Sequence, residues 1–270
     1  MAGDFLASVS EDPTIQTSSE TSAPRHLDWN LRTCCERGQW ITFGIVLGGL
    51  LISILLWHVR IGRFELLLPF KMLSVFLHEF GHASAAWMTC GRVHGIEVHS
   101  NGGGVTKTTG GNMYVILPAG YLGSCFWGVF FLLMGSINIW TLRVASGLLC
   151  FFLLIVLVFF ARNWSLRLIC IFFLLLLLGM WVWTEMMKIP WPLRVIILFL
   201  GVINAMYGVW DIWDDTIRRK VPESDSYKYA KLTHCSSRFC GVLWACLAFI
   251  FIIITLYLLF VIKDVGNESF

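Results

Sequence analysis

Charge is scarce in this sequence. Asp, Glu, Lys and Arg make up 14% of the 270 residues, against about 25% in an ordinary soluble domain. Apolar residues make up 57%, and the mean hydropathy is +0.73. The apolar residues gather in long runs, which excludes a soluble globule and implies a polytopic membrane protein in a lipid bilayer. The net charge is only +3, and no basic patch is interleaved with aromatics, so nucleic acid is excluded as a partner. Nine cysteines are present without one Cys-x-x-Cys pair. Those inside apolar runs, such as Cys125 and Cys170, read as small buried hydrophobes. Residues 1–39 are Ser/Thr-rich and acidic, and they lack the apolar core of a secretory signal, so they read as a disordered tail.

Seven runs approach the ~20 apolar residues that a bilayer crossing needs. They are Trp40–Trp57, Phe64–Met88, Met113–Met134, Ile139–Ala161, Leu166–Thr184, Leu193–Asp211 and Phe239–Ile262. The expected organisation is a tail at 1–39, a transmembrane region at 40–262 and a short tail at 263–270. The fold class is an all-α polytopic membrane protein of about seven helices. With seven crossings, one side receives 13 of the 20 Lys and Arg residues, which places the N-terminus in the cytosol. Between the second and third runs, GRVHGIEVHSNGGGVTKTTGG alternates β-branched and polar residues around three glycines. This predicts a small β-hairpin, with His94, Ile96 and Val98 on one face.

The second run contains His78-Glu79-Phe80-Gly81-His82. Residues four apart share a helix face, so both imidazoles can reach one metal ion with Glu79 beside them. In the H-E-x-x-H pattern the histidines bind zinc and the glutamate is the general base for water. The setting strengthens the reading. Ionisable groups inside membrane segments are costly, and three within a turn and a half need a shared partner such as a divalent cation.

A catalytic zinc usually takes three protein ligands. The sixth run ends YGVWDIWDDTIRRK, which offers Asp211, Asp214 and Asp215 on roughly one face. Asp211 is the deepest of the three. Asn204, seven residues earlier, shares its face and is a candidate supporting residue. Parity gives an independent check. The second and sixth spans run the same way, so the histidines and these aspartates reach the same end of the bundle.

HEFGHASAAWMTCGRV, GGGVTKTTGG, LPAGYLGS and YGVWDIWDD, in that order, resemble the M-50-type, B-like peptidases of the site-2-protease class. The resemblance covers roughly Phe64 to Lys220. It implies an intramembrane zinc metallopeptidase with His78 and His82 as ligands, Glu79 as catalytic base and Asp211 as third ligand, with Asp214 and Asp215 as alternatives. It also implies that the glycine-rich segment, including Gly102, Gly103 and Gly104, lies near the active site, where a substrate strand can add. Two features depart from the wider class. No proline or Asp-Gly pair occurs in 195–215, and Pro118-Ala119-Gly120-Tyr121 stands where a Gly-Pro pair is usual. The expected activity is hydrolysis of a membrane-protein substrate near the cytosolic face. The alternatives are a non-proteolytic metal-binding membrane protein and a transporter using the same cluster.

Overall fold

A computed structural model of the protein describes residues 29, 31, 37–57, 59–61, 64–213 and 224–262. Most of the expected 1–39 tail, all of 263–270, and Asp214 and Asp215 lie outside them. Among the described residues, eight helices follow one another: α1 (Arg37–Leu56), α2 (Leu68–Met88), α3 (Met113–Ile137), α4 (Ile139–Ile155), α5 (Trp164–Met187), α6 (Trp191–Trp213), α7 (Asp225–Thr233) and α8 (Ser237–Val261). A two-residue ribbon, β1 (Arg60–Ile61) and β2 (Phe64–Glu65), precedes α2. The predicted hairpin is β3 (Arg92–Val98) against β4 (Gly104–Thr109), antiparallel.

The breaks between helices follow from single residues. Asn138, in extended conformation, separates α3 from α4 and builds a reciprocal cap with Thr141. Asn163 caps α5 by accepting from Leu166 N. Lys188 ends α5 in the left-handed conformation, φ 55°, two residues before Pro190. The third, fourth and fifth runs are therefore separate helices despite their short connections.

Among the described residues, six helices are long and apolar enough to cross a membrane: α1, α3, α4 with its π-helical extension Val156–Phe160, α5, α6 and α8. The chain is a multi-pass integral membrane protein. The second expected span, α2, is less apolar because Lys71, His78, Glu79 and His82 interrupt it. Its placement compensates, since 14 of its 21 residues are buried. The other helices, not lipid, surround it. Small residues let it sink in. A Cβ on Gly81 would meet the Ala119 carbonyl oxygen at 2.2 Å, and one on Gly128 would meet the Ala205 nitrogen at 2.2 Å. Those contacts fix α2 on α3 and α3 on α6 at backbone distance.

The direction of α1 differs from a strict seven-fold alternation. Gln39 at its start donates to the carbonyls of Phe260 and Ile262 at the end of α8, both at 3.0 Å. The opposite end, at Trp57, stacks on Trp210 near the end of α6. Phe70 and His78 of α2 meet Phe199 and Tyr207 of α6, so α1, α2 and α6 all run the same way. The start of α1 therefore lies at the end of the bundle away from His78, not beside the 89–112 segment. Between α1 and α2 the described residues form the β1–β2 ribbon, closed by Leu66 N donating to the Val59 carbonyl, and Lys71 ties it to the end of α1 by bonding Glu65 and the Trp57 carbonyl.

The hairpin carries a bulge between Val93 and Gly95. Simple alternation puts His94 with Ile96 and Val98. The bulge turns His94 outward to Thr109 Oγ1, while Ile96 and Val98 remain buried. The outer edge of β3 is closed by residues 161–163. Arg162 N donates to the Ile96 carbonyl, and the Asn163 amide bonds both N and O of Val98.

Candidate metal centre

His78, Glu79 and His82 lie in the second half of α2 and are buried. Helical spacing puts the imidazoles on one face, and their ring centroids are 4.8 Å apart. The proton position on His82 follows from its neighbour. Nδ1 is 2.7 Å from the Ile116 carbonyl oxygen, which can only accept, so Nδ1 carries the proton. Nε2 is then the nitrogen of His82 left for a metal ion, and it faces His78 Nε2 at 3.1 Å.

A carboxylate completes the group. Asp225 Oδ2 lies 3.0 Å from His78 Nε2 and 2.9 Å from His82 Nε2. Zinc bonds of about 2.0–2.1 Å in tetrahedral geometry put ligand atoms about 3.3 Å apart. The three observed separations are close to that edge length. Two nitrogens and one oxygen pointing at a common centre form a donor set of the right chemistry for a divalent cation. The backbone leaves room for it. A Cβ on Gly120 would stand 2.4 Å from His78 Nε2 and 2.5 Å from His82 Nε2, so the bare glycine forms one wall.

Asp225 is the first residue of α7, whose N-terminus is capped by Ser224 accepting from Tyr227 N. Burial alone would push the Asp225 carboxyl up. The charge of His82 and the hydrogen bonds from both imidazoles outweigh burial and hold the group well below the usual carboxylate range, ionised at neutral pH. Reading the sequence missed this residue because it sits in the polar 212–238 connection, beyond the sixth span. A Ser-Asp pair opening a short amphipathic helix was the available signal.

The other expected residues fall at different distances. Asp211 Oδ2 is 4.0 Å from His78 Nδ1, on the far side of the ring from Asp225. Asn204 is fully buried, and its amide donates to the Leu200 carbonyl of its own helix at 2.7 Å. Gly104 touches the site: a Cβ there would lie 2.6 Å from Glu79 Oε1. Gly102, at φ +85°, and Gly103 form the exposed turn before β4. Thr106, two residues into β4 from Gly104, donates to Glu79 Oε2 at 2.6 Å. Tyr121 and Tyr207 place their rings edge-on to His78 at 4.9 and 6.1 Å, closing the centre from the bundle side. His94 and His99 lie on the hairpin, apart from this group.

The site is thus a buried His-Glu-His cluster on a helix shielded from lipid, roofed by strand β4. The sequence profile described as peptidase M50B-like matches residues 46–255. The chain belongs to the peptidase M50B-like family. The matched stretch includes α2, the hairpin, α6 and Asp225, so the cluster and its carboxylate lie inside the family region. No curated protein and no solved structure matches the chain. Family and cluster together support a membrane metallopeptidase.

Proposed function

We propose that the protein is an intramembrane zinc metallopeptidase of the site-2-protease type, with His78, His82 and Asp225 as metal ligands and Glu79 as general base. The observation that carries the reading is the pairing of a three-atom donor set with a glutamate whose carboxylate lies under a β-strand. Bound zinc supplies a Lewis acid and lowers the pKa of water to about 7. The chain's own residues do the rest. Thr106 holds Oε2 of Glu79, which leaves Oε1 to accept a proton from the attacking water and to return it to the leaving amine. Asp225 supplies the negative charge, and Tyr121 and Tyr207 exclude water from the bundle side.

Substrate would lie as an extended strand beside β4, which among the described residues pairs only with β3. Strand addition suits the chemistry, because a helical segment hides its carbonyls and must unwind first. The α2–α3 seam adds an apolar cavity of about 570 Å³ lined by Gly81, Ala85, Met88, Ala119, Gly123 and Phe126. It suits a hydrophobic membrane-protein segment in a bilayer. The site end of the bundle carries Arg92, Lys107, Arg162, Arg167, Lys228 and Lys231, and this basic bias supports a site facing the cytosol.

The test is a comparison of membrane proteomes from cells making the wild type or Glu79→Gln. The expected result is a set of new protein termini in or beside membrane spans, present with wild type and lost with Glu79→Gln, while zinc content stays equal. Equal zinc with no difference in termini would favour the non-proteolytic metal-binding alternative.

A further inference from the structure

The geometry points to Asp211 as a positioning residue that holds the His78 ring for metal binding and is not itself a ligand. This inference rests on the metal-centre reading above. An imidazole that binds through Nε2 in its neutral form carries its proton on Nδ1. For His82 that proton has an acceptor, the Ile116 carbonyl. For His78 it has none at hydrogen-bond distance among the described residues, although Nδ1 is buried. A buried donor without an acceptor is destabilising. Asp211 Oδ2 is the carboxylate facing that nitrogen, at 4.0 Å, from the end of α6. Asp225 approaches the same ring from the Nε2 side at 3.0 Å. The two aspartates therefore address opposite nitrogens of one imidazole.

The division of labour follows from those positions. Asp225 shares the centre with both Nε2 atoms, whereas Asp211 lies beside the nitrogen of His78 that points away from it. When His78 turns onto a metal ion, Nδ1–H gains a charged acceptor if the ring and Asp211 close by about 1 Å to a charge-assisted bond of about 2.8 Å. Outer carboxylates of this kind fix the tautomer and ring orientation, and their loss typically costs 10–100-fold in metal affinity. The location also uses α6 in a way the ligand set alone does not. It couples the centre to the helix packed against α3 from Tyr121 to Gly135.

The test measures zinc affinity of the purified full-length protein by chelator competition, with zinc alone as probe. Asp211→Ala is expected to weaken zinc binding 10–100-fold while still binding one ion at saturation. Asp211→Asn, which keeps the shape and an acceptor oxygen, is expected to lose less. Asp225→Ala is expected to lose stoichiometric binding altogether. Melting of the metal-free protein is expected to be the same for wild type and Asp211→Asn, so that a folding defect is separated from a weaker site. Wild-type affinity in Asp211→Ala overturns the inference and leaves the metal centre standing. Loss of stoichiometric zinc in both Asp211 variants also overturns it, by making Asp211 a ligand. Absence of zinc from the wild type brings down the metal-centre reading itself, and this inference with it.

Discussion

Gly120→Ala adds one carbon to the wall of the proposed centre, and its effect can be worked from distances. The new Cβ would lie 2.4 Å from His78 Nε2 and 2.5 Å from His82 Cε1 and Nε2. Ordinary carbon contacts begin near 3.4 Å, so both rings must retreat by about 1 Å. A functional metal site tolerates ligand displacements of only about 0.2 Å. The substitution should therefore abolish tight zinc binding, lowering affinity by at least about 100-fold. Stability should move much less. Crowding a packed site costs about 1–3 kcal/mol, and replacing a helical glycine with alanine returns up to about 1 kcal/mol. The assay is chelator competition for zinc beside thermal melting of the metal-free protein. Gly179→Ala is the matched control, because a Cβ there meets nothing within 4 Å. Wild-type zinc affinity in Gly120→Ala would refute the placement of the centre between the two Nε2 atoms and α3.

Further outcomes follow from other contacts. Thr106→Val removes the donor to Glu79 Oε2, a bond to a charged group worth about 1.5–3 kcal/mol, so cleavage should fall at least about tenfold with zinc retained. Thr106→Ser should keep most activity, which separates the hydroxyl from the methyl. Glu79→Gln should lower cleavage 10²–10⁴-fold, the contribution typical of a general base, read on the same membrane substrate. Asn163→Ala deletes two bonds to the Val98 backbone, at about 1 kcal/mol each, and should raise hydrogen exchange across β3 and β4 without changing α3.

The fold was legible where apolar length and local caps agree. The runs from Met113 to Asp211 match helices α3 to α6 closely, because Asn138, Asn163 and Lys188 mark the breaks within the sequence. The hairpin was legible from glycines and β-branched residues, but the bulge at His94 was not, since one extra residue leaves no compositional trace. The path of α1 was hidden for a different reason. Counting spans assumes that each connection reverses direction, whereas α1 and α2 run the same way. In the site, His78, Glu79 and His82 were readable because helical spacing is local. Asp225 was not, because its approach depends on where the 212–238 connection folds back. Asp211 looked the better candidate since it stands at the end of an apolar run, yet its carboxylate faces the other nitrogen of His78.

The most direct measurement is the zinc content of the purified full-length protein and of its Asp225→Ala variant, each after equilibration with limiting chelator. The account predicts one zinc per wild-type chain and none retained by Asp225→Ala, with both proteins folded by thermal melting. A wild type without zinc, or an Asp225→Ala protein that keeps a full equivalent, would contradict it.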